Sequence, residues 1–237
     1  MSPRVQALSI VEAIASDLRS RLFDGSIAVD RQLTEADVAT EYDVSRPTAK
    51  AAIEKLVAEG LLMRGPHKTA RVPSIGPDDI RDLYFARLCI ESDVVRRLAL
   101  AKKVPVGLEQ ANRDVMDFGG EADVNVVAPV LRFHSLLVSA LDSPRMDHLF
   151  SALMGEMRLC MVQMQSMGLM RPTDIAAEHD AIVDRIKSGD AHGAVEALTV
   201  HFAHAQDRLL PYLDRSRPSG PAGDSSASVP EIGQVTA

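Results

Sequence analysis

Apolar residues recur at helical spacing along most of this chain, and the places where the rhythm breaks divide it into parts. Val11, Ile14, Ala15, Leu18 and Leu22 lie on one face of a helix predicted over residues 7–24, with Gly25 as terminator. A second helix begins in LTEADVATEY, with Thr34 as N-cap, Asp37 at the third position, and Leu33 and Val38 placed for a hydrophobic staple. Asp43 marks a tight turn, where Asp tolerates a left-handed backbone. Ser45 caps a third helix with Pro47 in its first turn, and Ala49, Ala52, Ile53, Leu56 and Val57 form its buried face. Gly60 ends that helix, and LLMRGPHKTARV reads as two short strands around a Gly-Pro turn.

Pro73 and Gly76-Pro77 mark a linker at 73–77, after a first domain of residues 1–72. Residues 78–214 then form an all-α bundle of six to seven helices, with segments near 77–103, 106–118, 124–142, 144–168, 174–188 and 190–213. Pro105, Gly119-Gly120, Pro144, Gly168 with Pro172, and Gly189 separate them. From Arg215 to residue 237 the chain is rich in Pro, Ser, Gly and Ala, and a disordered tail is expected.

Composition agrees with a mostly α fold: 46% apolar, only 4% aromatic, no Trp. Cys89 and Cys160 are too few and too far apart for a disulfide framework, which points to a reducing cytoplasm, and no segment has the apolar length of a membrane span. The net charge of −7 lies wholly after residue 75: residues 1–75 hold ten basic and ten acidic side chains, the remainder 16 and 23. A neutral part joined to an acidic part implies different partners.

Three helices, a tight turn between the second and third, and a β-ribbon form the layout of a winged helix-turn-helix, whose third helix enters the DNA major groove. Arg46 and Lys50 stand one turn apart on the exposed side of that helix start, and the ribbon adds Arg64, His67, Lys68 and Arg71. Local cations suffice for such a module, because affinity depends on local phosphate contacts rather than global charge.

In the acidic part three histidines sit on apolar seams of three different helices. His134 runs with Val127, Val130, Leu131, Val138 and Leu141; His179 with Ile175, Ile182 and Ile186; His201 with Ala194, Leu198 and Ala205. One such histidine is usually a core residue bonded to a carbonyl. If the three seams converge, a divalent metal such as Zn²⁺ or Ni²⁺ satisfies all three rings and keeps positions open for a further ligand. The segment MGEMRLCMVQMQSMGLM reads as adaptable core or pocket wall.

The first 72 residues resemble the DNA-binding domain of GntR-family transcription regulators: Leu33, Glu35, Val38-Ala39, Val44-Ser45-Arg46, Lys50 and Glu59-Gly60-Leu61 match its pattern. The resemblance implies DNA contacts from Arg46, Thr48, Lys50, Arg31 and His67. The departures are Val29-Asp30, Asp43, the order Pro47-Thr48, and Lys50 in place of Arg, which gives up bidentate guanine readout. The second part resembles the FCD-type effector-binding domain of the FadR-like subfamily, through Tyr84-x-x-Arg87-x-x-x-Glu91, Phe133-His134-x-x-Leu137, Glu178-His179-x-x-Ile182, Gly189-Asp190 and His201. That resemblance implies a metal held by three His and one Asp, and a small carboxylate gripped by Arg87 with His204 at the pocket edge. The Asp position, four residues before the first His, is Val130 here.

The expectation is therefore a cytoplasmic homodimer that binds a palindromic operator in double-stranded DNA under control of a small carboxylate, with no membrane association. Two other readings stand beside it: a metallo-hydrolase built on the three-His centre, for which Glu178 is a poorly directed base, and a constitutive DNA-binding repressor with a vestigial pocket.

Overall fold

Ser9, Thr34 and Ser45 each set a hydroxyl over a helix start, accepting from the backbone N–H groups of Glu12, Asp37 and Thr48. These caps satisfy amides that the helices cannot pair internally, and they open α1 (Ile10–Phe23), α2 (Glu35–Glu41) and α3 (Arg46–Ala58). The computed structural model describes residues 9–65, 69–118, 126–165 and 171–215. Asp43 takes the left-handed conformation (φ 49°) and the Val44 N–H bonds the Ala39 carbonyl at 3.0 Å, which turns the chain sharply from α2 into α3.

Three strands make the small sheet: β1 (Gln32–Thr34), β2 (Met63–Arg64) and β3 (Thr69–Arg71), in antiparallel order β1-β3-β2. The ribbon pair was expected; β1 was not. Its three residues are too few to alternate, and Thr34 serves as both strand end and helix cap. Leu33 and Arg64 flank Ala70 from opposite sides. The ribbon tip, residues 66–68, lies outside the described residues.

Beyond Pro77 the described residues form α4 (Pro77–Leu100), α5 (Leu108–Met116), α6 (Val127–Ser139), α7 (Pro144–Gln165), α8 (Pro172–Ser188) and α9 (Ala191–Arg215). The whole chain is thus mostly helical, a three-helix unit with its wing followed by a helical bundle. In the bundle α4 packs against α6, α7, α8 and α9, so it runs through the middle. Gly189 closes α8 with φ 82°, and a Cβ there would stand 2.6 Å from the Lys102 side chain. The Gly119-Gly120 break, the end of the Met-rich segment at 166–170 and the tail at 216–237 fall outside the described residues.

Two apolar cores form, one around Leu18, Ile53 and Leu56, the other around Tyr84, Phe133, Ile182 and Phe202. Leu159 of α7 belongs to the first core although its helix belongs to the bundle. Beside it the Arg158 guanidinium lies 4.2 Å over the Phe23 ring. Gly60 (φ 73°) approaches so closely that a Cβ would sit 2.7 Å from Glu156 Oε1.

Candidate metal, effector and DNA-contacting sites

On α3, Arg46 and Lys50 are exposed and Thr48 is half-buried, its hydroxyl 2.8 Å from Ser45 Oγ. Arg31 is exposed just before β1. Arg64 stands apart from these four. It is half-buried, its Nε lies 3.1 Å from Glu54 Oε1, and its Nη2 reaches the same oxygen and Glu35 at 3.5 Å. Two carboxylates therefore offset its charge, which weakens it as a phosphate contact. His67 and Lys68 lie outside the described residues.

In the bundle the three seams meet. His134 on α6, His179 on α8 and His201 on α9 are all buried, and one ring nitrogen from each lies within 4.8 Å of the others. His134 Nε2 and His201 Nε2 are 3.3 Å apart, and His179 Nε2 is buried without a partner among the described residues. Each Nδ1 is held from outside: His134 by Glu91 Oε2 at 2.6 Å, His179 by Asn112 Oδ1 at 3.0 Å, His201 by Glu178 Oε2 at 2.6 Å. Asn112 cannot turn its amide over, because Nδ2 donates to the Ala176 carbonyl (2.9 Å) and to Asp180 (2.7 Å). Its oxygen must then accept from His179 Nδ1–H, which leaves the Nε2 lone pair facing inward.

Charge state follows the same logic. Burial holds the His134 and His179 pKa values well below the ordinary imidazole range, and Arg87 and His201 add repulsion. His201 is also lowered, by burial that outweighs its contact with Glu178. Three neutral imidazoles with outer N–H groups engaged and inner lone pairs convergent are the donor set of a divalent metal site. The orphaned His179 Nε2 is the atom such an ion would satisfy. The residues therefore can hold a metal, with Val130, buried beside His134, in place of a fourth anionic ligand.

Arg87 and Glu91 lie one turn apart on α4, both buried, joined Nε to Oε1 at 3.0 Å. Sequence periodicity places Arg87 at the buried boundary; it is in fact 1% exposed, stacked 4.4 Å from the Phe202 ring. Among the described residues its Nη2 is buried with no partner, and it lines a cavity together with Tyr84, Val130, His134, His201 and Arg208. Burial pushes the Glu91 carboxyl up to about 7 against the opposing pull of Arg87. The cavity is narrow, ≈ 30 Å³, room for about two waters. A carboxylate reaching Arg87 must displace side chains at its mouth. Met161 lines it, and Met154 and Met157 are buried in the core, so the described part of the Met-rich segment serves as core and wall.

His204 is exposed and bonds Glu178 Oε1 at 2.9 Å rather than lining the cavity. Arg208, which sequence reasoning passed over, does line it and reaches Glu178 at 3.3 Å. Burial raises the Glu178 pKa, but hydrogen bonds from His201, Arg208 and His204 prevail and bring it to about 2.

Two family matches cover nearly all of this architecture. Residues 10–72 match the bacterial regulatory proteins of the gntR family, and residues 82–204 match the FCD domain. An uncharacterized HTH-type transcriptional regulator, BphR of Paraburkholderia xenovorans, is 26% identical over 227 residues, covering 84% of this chain and 85% of that protein. The gluconate operon transcriptional repressor of Bacillus subtilis is 25% identical over 206 residues, covering 83% of each. Among solved structures, a GntR regulator from Rhodococcus superposes with TM-score 0.68 at 24% identity, covering 86% of this chain and 99% of that one. The E. coli protein McbR/YncC superposes with TM-score 0.69 at 16% identity over 87% and 99%. Winged helix and helical bundle thus fall in one recognised arrangement: the chain belongs to the GntR family of bacterial transcriptional regulators, in its FadR-like, FCD-containing branch.

Proposed function

We propose that this regulator senses a small carboxylate at a metal-dependent site and conveys its occupancy to a DNA-binding dimer. The observation that carries the reading is the convergence of three Nε2 lone pairs beside the unpaired Nη2 of Arg87. His134, His179 and His201 would hold the ion, Zn²⁺ or Ni²⁺, and a bound ion would supply Lewis acidity towards a carboxylate. Arg87 supplies the other half of the grip through a charge-assisted hydrogen bond, and Arg208 with Glu178 stands at the cavity mouth.

Arg46, Thr48, Lys50 and Arg31 form the DNA-facing set, with His67 and Lys68 added from the wing and Arg64 a minor contributor. Two copies related by a two-fold axis present two recognition helices to a palindromic operator with half-sites about 34 Å apart. Effector and operator binding are then linked reciprocally: an acid that weakens DNA binding is itself bound less well by the DNA complex, by the same factor. Repression is the mode named for the gluconate-operon relative, and it is the mode proposed for this chain.

Hydrolysis is the weaker reading. Both carboxylates beside the triad, Glu91 and Glu178, engage Nδ1 atoms and so lie on its outer side. Neither is placed to take a proton from water on the Nε2 side. The test is operator binding by the metal-loaded and the chelated protein against a panel of mono- and dicarboxylates. An acid that shifts DNA affinity only when metal is present supports the proposal. No bound metal, and no response to any acid, leaves the constitutive repressor.

A further inference from the structure

The helical domain meets the winged-helix domain across a cleft of ≈ 620 Å³ that the three-His site does not use. Its wall carries Arg19 from α1, Arg132 from α6, and Arg158 and His148 from α7, against one carboxylate, Glu59. In a chain of net charge −7 this is a local excess of cations. Arg19 is fully engaged, gripping Glu59 at 2.8 and 2.7 Å. Arg132 is exposed and loosely tied to Asp114 at 3.4 Å, outside the cleft wall. Arg158 is different. Among the described residues it has no carboxylate partner, and its Nε is buried without a hydrogen bond. One guanidinium face rests on Phe23. A buried N–H left without an acceptor is unfavourable, and a planar guanidinium is the group best shaped to bind an oxyanion through two parallel bonds. A smaller adjoining cavity shares Phe23 and Arg158 and carries Asp24, so the anion belongs on the Arg132 side.

We propose that this cleft is a second ligand site, which takes a small dianion through Arg158 with Arg132 as the outer cation. The dianion is a phosphoryl group or a dicarboxylate, since both present the same paired oxygens. Its position between α1 and α7 gives it a consequence that the buried pocket lacks: one molecule touches both domains at once and restrains their relative pose. The assignment rests on none of the residues of the three-His centre.

The test uses the full chain without added metal, with inorganic phosphate or succinate at about 10 mM against NaCl of equal ionic strength. Either dianion should raise Tm by about 3–6 °C, the response expected at roughly ten times Kd for a protein of this size. Arg158→Gln should abolish the rise, and Arg132→Gln, on the exposed rim, should reduce it. Arg46→Ala should leave it unchanged, which separates the cleft from phosphate bound at the DNA-facing helix. Response to phosphate alone assigns a phosphoryl ligand, and response to succinate alone a dicarboxylate. No shift with either dianion, or an undiminished shift in Arg158→Gln, overturns the proposal. If Arg158→Gln does not fold, Arg132→Gln decides: a full wild-type shift there also overturns it.

Discussion

Asn112 is the most exacting probe of the three-His site, because it touches no ligand position and yet fixes one ligand's tautomer. In Asn112→Leu the branching at Cγ is kept while three hydrogen bonds disappear: to Ala176, to Asp180 and from His179. At about 1 kcal/mol each, the metal-free protein should lose roughly 3 kcal/mol, less whatever the buried leucine returns. With Nδ1 unanchored, His179 can rotate or present Nε2–H inward. Loss of such an outer partner lowers metal affinity by about 10–100-fold, or about 1.4–2.7 kcal/mol. Chemical unfolding of the metal-free variant reads the first quantity, and Zn²⁺ competition against a chromophoric chelator reads the second. Asn112→Asp separates them. It keeps an acceptor for His179 but faces Asp180, which is 2.7 Å from the amide it replaces. Its stability should fall while Zn²⁺ affinity holds. A folded Asn112→Leu protein with wild-type Zn²⁺ affinity would refute the reasoning.

Other outcomes follow from the same geometry. Val130→Asp should raise Zn²⁺ affinity at least about tenfold and lower metal-free stability by several kcal/mol, since a buried carboxylate without a cation is costly; chelator competition and urea unfolding measure the two. Stability of the metal-free protein should rise from about pH 2 to 4.5, because the depressed Glu178 carboxyl loses its contribution as pH falls through that window, and Glu178→Gln should flatten this limb. Between 4.5 and about 6.5 it should go on rising, because His134, His179 and His201 stay neutral in the fold while the unfolded chain protonates them, and buried Glu91, which keeps its proton up to about 7, only opposes that rise; Glu91→Gln should steepen this limb in the urea midpoint. Arg46→Ala should cost about 1–3 kcal/mol on an operator selected from a random pool, and Lys50→Ala should weaken binding and reduce the salt slope by about 1, both read by fluorescence anisotropy. Gly60→Ala should lower Tm by several degrees, since it strains a left-handed residue and presses on Glu156.

What the sequence made legible was whatever short-range chemistry dictates. Thr34 and Ser45 name their helices as caps, and the 3.6-residue period puts His134, His179 and His201 on apolar faces that could only point inward. What it hid was every partner supplied by another element. Asn112 on α5 meets His179 across 67 positions of chain, and no local pattern marks it. Glu178 points away from its neighbour His179, which helical geometry foretells, yet lands on His201 of the next helix, which no single-helix argument can give. Arg64 looked like a wing cation for the same reason: Glu35 and Glu54, which engage it, come from α2 and α3. Strand β1 was concealed by its own last residue, because the capping role of Thr34 explains that position without a sheet.

Leu159 has a practical consequence for anyone who would re-purpose this sensor. The knob that completes the reading head's interior is lent by a helix from the opposite module. A chimera cut at residues 73–77, transplanting the N-terminal unit onto a foreign receptor, would carry a hole where that leucyl side chain sat. Grafts should therefore take along the stripe of α7 around Gly155 and Leu159 that faces the N-terminal unit, or plug the gap with a bulkier neighbour.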